Sequence, residues 1–223
     1  MEIEKLLVLI INDMVIFPNN EIRIEYDNTF DKSMINIIDK LDSDLMLIVN
    51  PIEEGEDIDL TNLPNYGTLG RLKLKMNVPN GKTRVVIEGL KRVEISNYSK
   101  EVDEFFYANY KELNPIETQE EKDYYNILVK SLERYIERVP YMSNAVITQL
   151  NKVNTLDELC DLTGSFLTID YQKKKRYITI TNPIERCKQL IEDMNQDLKF
   201  LELEQRIEEQ VEKELSETQK CIK

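Results

Sequence analysis

From Tyr66 to Asn97 apolar and polar residues alternate with a period of two. Leu72, Leu74, Met76 and Val78 interleave with Arg71, Lys73, Lys75 and Asn77, the spacing of a strand buried on one side. Pro79-Asn80-Gly81 follows. Asn-Gly favours a two-residue hairpin turn, because the type I′ turn needs positive φ at both central positions. With Pro79 opposite Lys82, Val78 faces Thr83, Met76 faces Val85, Leu74 faces Ile87 and Leu72 faces Gly89. This register gathers the apolar partners on one face and sets Lys73 against Glu88 on the other. A bend is expected at Gly89, since straight alternation beyond it would turn Lys91 inward.

The same reading extends to both sides of the hairpin. Leu6 to Ile11 is a short, continuous apolar run, the pattern of a buried strand. Phe17-Pro18-Asn19-Asn20 is a loop by its turn chemistry. Ile22, Ile24 and Tyr26 alternate with charged residues as a second strand, and Leu45 to Val49 reads as a third. Between these two, Asp27 or Asn28 caps a helix carrying Phe30, Met34, Ile37, Ile38 and Leu41. Phe105 to Leu113 supplies a last strand, ended by Asn114-Pro115.

The period changes after Pro115. Tyr124, Leu128, Leu132, Tyr135, Ile136 and Val139 share one face of a helix over about 120–139. A second helix covers roughly 143–150. Thr155 and Glu158 have capping-box spacing and open a third, with Leu156, Leu159, Cys160, Thr163 and Phe166. Asp170 caps a short fourth containing Lys173-Lys174-Lys175-Arg176, read as a solvated basic face. Asn182-Pro183 is a cap followed by a first-turn proline, and no glycine or proline occurs after it. Leu190, Met194, Leu198, Leu201, Ile207, Val211, Leu215 and Ile222 form a narrow apolar stripe along this last helix. Its length, on the order of 60 Å at 1.5 Å per residue, exceeds what the preceding residues can cover. Its last turns are therefore expected to project from the body.

The fold class is thus α+β: a β-rich part of about six strands and one helix, then a helical bundle ending in a long helix. The expected division is 1–114, 115–181 and 182–223.

Composition removes several chemistries. Among 223 residues there are 42 acidic and 29 basic side chains, a formal charge of −13. That balance opposes nucleic acid and anionic lipid, which need clustered positive charge. Histidine is absent, so the usual general base and imidazole metal ligands are missing. Cys160, Cys187 and Cys221 are far apart without C-x-x-C spacing and read as reduced thiols. No apolar run reaches 18 residues, so the chain is expected in the cytoplasm. Gly81-Lys82-Thr83 imitates the end of a phosphate-binding loop, but Met76 stands where the first glycine belongs, and strand leads to strand. Residues 53–59, EEGEDID, read as a solvated acidic loop whose spacing is not that of a helix–loop–helix calcium site. No catalytic, cofactor-binding or metal-binding residues are assigned.

At this point the residues resemble a family, the N-terminal domain of the ATP-dependent protease Lon. The resemblance is carried by Leu6 to Leu9 with Asp13, Val15, Phe17 and Pro18, and by Gly67-Thr68-Leu69-Gly70-Arg71. It continues in Pro79-Asn80-Gly81, Val85 to Leu90 and Arg92-Val93, then Leu156, Leu159, Cys160, Asp161 and Glu185-Arg186. Gln205-Arg206-Ile207, Glu209-Gln210-Val211 and Gln219-Lys220 look like the stretch leading toward an ATPase module. Ile10 and Asn12 stand where the family usually has proline and arginine.

The resemblance implies a non-catalytic recognition module that binds unfolded, damaged or tagged proteins. It also implies helices joined to the ATPase and Ser-Lys protease parts of a homo-hexamer, parts expected outside this sequence. Capture of unfolded chains calls for exposed apolar surface. Phe17, Pro18, Met76, Val78 and Pro79 are therefore the substrate-contact candidates, and Ile207, Val211 and Leu215 the arm candidates for contact with neighbouring subunits. The alternative is a stand-alone protein of the same fold that binds peptides or small ligands.

Overall fold

In a computed structural model the described residues are 5–27, 37–41, 43–53, 58–79, 81–101, 105–115, 118–139 and 143–221. Six strands come first: β1 (Lys5–Ile10), β2 (Glu21–Asp27), β3 (Leu45–Val49), β4 (Tyr66–Val78), β5 (Lys82–Lys100) and β6 (Phe106–Glu112). Five helices follow: α1 (Gln119–Arg138), α2 (Ser143–Leu150), α3 (Leu156–Phe166), α4 (Tyr171–Thr179) and α5 (Pro183–Cys221). The helix expected between β2 and β3 lies mostly outside the described residues; its end, residues 37–39, is helical.

The strand order is β2-β5-β4-β3-β1-β6, and β5 also pairs with β6. This second pairing closes β5, β4, β3, β1 and β6 into a ring, which leaves those strands without a long open edge. β2 joins only the first half of β5, from Lys82 to Glu88. The apolar runs explain which strands sit centrally. Leu6, Val8, Leu47 and Val49 pack with Leu69, Val93, Ile95 and Ala108 inside the ring. Their sequence neighbours Leu9, Met46 and Ile48 pack on the opposite face with Ile11, Tyr26, Val85 and Ile87. A continuous apolar run is what burial on both faces requires.

The hairpin forms, but not in the predicted register. β4 and β5 pair Val78 with Lys82, Met76 with Arg84 and Leu74 with Val86. The loop therefore runs from Pro79 to Gly81, and Gly81 takes φ 70°, the left-handed final position of a three-residue hairpin loop. One extra loop residue moves the pairing by one, which sends side chains to the opposite face. Val85 and Ile87 face the core, while Leu74 and Met76 turn outward. A register shift between Leu72 and Leu74 restores alignment, and Leu72 pairs with Ile87. A second shift beside Gly89 leaves Leu90 without a partner in β4. Gly89 is needed for close approach, because a Cβ there would collide with the Phe17 carbonyl oxygen.

The helical bundle begins where the sequence signals place it. Thr118 caps α1 through its side chain. Thr155 and Glu158 make both halves of the capping box on α3. Asp170 caps α4, and the Asn182 side chain accepts from the Ile184 and Glu185 N–H groups at the start of α5. Leu128, Leu132, Tyr135, Leu159, Cys160, Tyr177, Cys187, Leu190 and Met194 form the helical core.

Three connections fasten the sheet to this bundle. Phe17, 1% exposed, leaves the sheet side and fills the helical core. Tyr171 of α4 donates its hydroxyl to the Ile11 carbonyl and accepts from Asn50 Nδ2, both at 3.2 Å, and Lys175 Nζ donates to the Pro51 and Ile52 carbonyls. The third is ionic. Arg92 of β5 donates to the Tyr177 and Ile178 carbonyls and to the Asp161 carboxylate. Asp161 also accepts from Arg186 of α5, which bonds Asp157 at 2.7 Å. Arg92, Asp161 and Arg186 are all buried. Burial raises the Asp161 carboxyl above its ordinary value and lowers the Arg92 guanidinium. Burial also pulls Arg186 down, but Asp161 and Asp157 together carry it above its ordinary value. The charges are held by one another instead of by water.

Candidate functional site

Beyond the ring, β2, β5 and β4 continue as a three-stranded ribbon. One face belongs to the core through Ile22, Ile24, Tyr26, Val85 and Ile87. The other presents Leu74 and Met76, 45% and 42% exposed, beside Arg84 and Glu25, which form an ion pair. Lys73 bridges Glu21 at 2.9 Å and Glu88 at 3.7 Å. The predicted Lys73–Glu88 contact therefore forms, although Glu88 pairs in register with Arg71. The hydrogen bond from Lys73 holds the Glu21 carboxyl below its ordinary value and raises Lys73. Val78 is half-buried and Pro79 exposed at the ribbon's end. The result is an outward apolar spot framed by paired charges.

Beside the start of β2 lies a cleft of about 720 Å³. Asn19 and Arg23 form one wall, and Lys152, Val153, Glu158 and Leu162 the other. Asn19 has φ 59°. Its N–H donates to the Gly89 carbonyl, while the Gly89 N–H donates to the Asn20 carbonyl. These bonds define a bulge that turns the chain from the Phe17 loop into β2.

The far end of the molecule is α5, 39 residues long. Leu190 and Met194 are buried, and Leu198 and Leu201 half-buried. Past Leu201 every residue with a described side chain is exposed, including Ile207 at 51% and Val211 at 49%. The Leu215 side chain lies outside the described residues.

Residues 5–196 match the protein family described as the ATP-dependent protease La (LON) substrate-binding domain. The chain belongs to this family. Among curated Lon proteases it is 28% identical to that of Brevibacillus choshinensis over 180 residues, 80% of this chain and 23% of that protein. The Lon protease of Escherichia coli K12 is 24% identical over 216 residues, 96% of this chain and 27% of that protein. The chain thus spans about a quarter of the length of the curated relatives it matches. The solved N-terminal domain of Mycobacterium avium complex Lon protease superposes with TM-score 0.70 at 20% identity, covering 86% of this chain and 98% of that one. A Lon N-terminal domain protein from Xanthomonas campestris gives 0.57 at 13% identity, covering 85% and 98%. These likenesses show the fold. The match to the Lon substrate-binding family ends at residue 196, two residues after Met194, the last buried one among the described side chains of α5.

The structure does not bring the contact candidates together. Phe17 and Pro18 are buried, Phe17 as the plug into the helical core, whereas Met76, Val78 and Pro79 lie at the ribbon's end. The two-residue loop places Leu74 on the apolar face opposite Ile87, whereas in the structure it is exposed. The basic run of α4 is less solvated than expected. Lys173 pairs with Asp193, Lys174 donates to the Ser165 carbonyl, and Lys175 reaches back to Pro51 and Ile52. Of the acidic loop, Asp59 caps the short helical turn Leu60–Asn62, and hydrogen bonds from Thr61 and Asn62 hold its carboxyl below the ordinary value. Among the described residues no group of three metal-ligating side chains occurs, and no helix is long and apolar enough to cross a membrane.

Proposed function

We propose that this chain is the substrate-engaging, non-catalytic part of a Lon-type ATP-dependent serine protease in the cytoplasm, with unfolded or damaged proteins as its ligands. The observation that carries this reading is the outward placement of Leu74 and Met76 in a chain of the Lon substrate-binding family. Apolar side chains held on a rigid ribbon offer contact area to an unfolded segment without demanding a particular sequence. Val78 and Pro79 extend that surface at the tip. A charge of −13 disfavours nucleic acid and anionic membranes as partners.

The exposed stripe of α5, with Ile207, Val211 and Leu215, is the proposed contact with the rest of the protease and with neighbouring subunits of a homo-hexamer. In the same reading, 1–114 recognises substrate, 115–181 supports it and 182–223 leads toward the motor.

The test is Met76→Ser combined with Val78→Ser, with binding of reduced, carboxamidomethylated lactalbumin measured by fluorescence anisotropy. Weaker binding with an unchanged unfolding transition supports the reading. Unchanged binding removes the ribbon as the contact surface.

A further inference from the structure

β2 has one partner, β5, and among the described residues no strand pairs with its other edge. The orientation of its peptide groups follows from the bulge that precedes it. The Gly89 N–H donates to the Asn20 carbonyl, and the register then pairs Ile22 with Ile87, Ile24 with Val85 and Tyr26 with Thr83. Antiparallel hydrogen bonding alternates, so even-numbered residues of β2 bond to β5. The N–H and C=O groups of Glu21, Arg23 and Glu25 point away from it, in a row along the open edge. The cleft between β2 and α2–α3 adjoins the first of them, since Glu21 and Arg23 line it.

We propose that this edge receives an extended segment of an unfolded protein as an added strand. The inference rests on the substrate-binding reading above and adds where a segment lies and which groups hold it. Main-chain hydrogen bonds suit a ligand of varied sequence, because every residue except proline carries the same donor and acceptor. Side chains set a preference. Glu21 and Glu25 are exposed on one face with Arg23 between them, each paired on its inner side, with Lys73 and Arg84 respectively, and open on the side of the free edge, while Ile22, Ile24 and Tyr26 face the core. A segment alternating basic and apolar residues matches both faces, as cross-strand pairs require. A second copy of β2 matches less well: antiparallel self-pairing centred on Arg23 opposes Arg23 to itself and Glu21 to Glu25. Like charges directly opposite destabilise such pairs.

The probes are fluorescein-labelled peptides of alternating valine and lysine, of the same seven-residue length as β2. They are compared with a valine–glutamate counterpart and with two forms N-methylated on one or the other alternate set of residues. The protein is used as wild type and as Arg23→Pro, which removes an outward N–H and leaves the β5 ladder intact. The valine–lysine peptide is expected to bind better than the acidic one. Arg23→Pro should weaken binding about threefold to tenfold, the worth of one main-chain hydrogen bond.

Methylation of the set facing β2 should abolish binding, and methylation of the other set should leave it intact. This arm needs only the wild-type protein and decides the matter if Arg23→Pro does not fold. Equal binding of both methylated peptides overturns the proposal. So does wild-type self-association that Arg23→Pro abolishes, since the edge would then hold a second copy. Binding of unfolded lactalbumin without binding of any strand peptide also overturns it, while sparing the substrate-binding reading. Binding of neither overturns both.

Discussion

The two halves of α5 carry the same apolar spacing and have opposite surroundings. Leu190 and Met194 are sealed in the helical core, whereas Ile207 and Val211 are about half exposed. The proximal half is also held by charge, through Arg186 bonded to Asp157 and Asp161. The last described ion pair from the body is Arg138 with Glu202, on the surface at 3.5 Å. Periodicity therefore reports that a helix has a face to bury, and what lies opposite decides whether it is buried. Residues before about 201 meet a body that folds around them; those beyond present the same pattern to solvent.

The largest effect should come from the ionic joint at the proximal end. Asp161→Ala leaves Arg92 and Arg186 buried without their shared carboxylate, and breaking a buried pair this way costs about 3–5 kcal/mol. Urea unfolding followed by circular dichroism checks it, and a loss below about 1 kcal/mol, the level of a surface pair, would contradict the buried assignment. Next, Leu190→Ala should destabilise by about 2–5 kcal/mol as a cavity in the core. Its distal counterpart Val211→Ala should stay within about 0.5 kcal/mol, as surface substitutions do. Equal losses at the two positions would erase the distinction between the halves.

The sequence reading succeeded where the deciding information was local. The runs at β1 and β3, the caps at Thr155, Asp170 and Asn182, and the helical faces depend on residues a few positions apart. It failed where the answer depended on one residue of loop length or on distant partners. Asn80-Gly81 correctly marks a hairpin, but a two-residue and a three-residue loop place Leu74 and Met76 on opposite faces. Nothing near Phe17 in the chain shows that it crosses into the helical core. Arg92, Asp161 and Arg186 were visible among the residues that resemble the Lon family. Their mutual contact, across 69 and 25 positions, is a property of the folded chain. The outward apolar spot could be found in the sequence only by trying the longer loop.

The smallest predicted effect concerns the charges that frame the ribbon. Glu21 and Asp59 are held below their ordinary carboxyl values, by the hydrogen bonds from Lys73 and Thr61 respectively. A carboxyl with a lower pKa folded than unfolded contributes stability above its unfolded value and loses it as pH falls through the folded one. Both groups therefore add to acid sensitivity below the ordinary carboxylate range. In Lys73→Met the Glu21 carboxyl should return toward its ordinary value of 4.5, as read by NMR titration. An unmoved midpoint would show that Lys73 does not hold it.

The contrast along α5 is tested most directly by amide hydrogen exchange on the monomeric chain, resolved residue by residue from Ile184 to Cys221. Protection should be high through the segment packed on the helical core and fall steeply past Leu201, because exposed helix ends open locally at little cost. Uniform strong protection out to Leu215 in the monomer would contradict a projecting distal half.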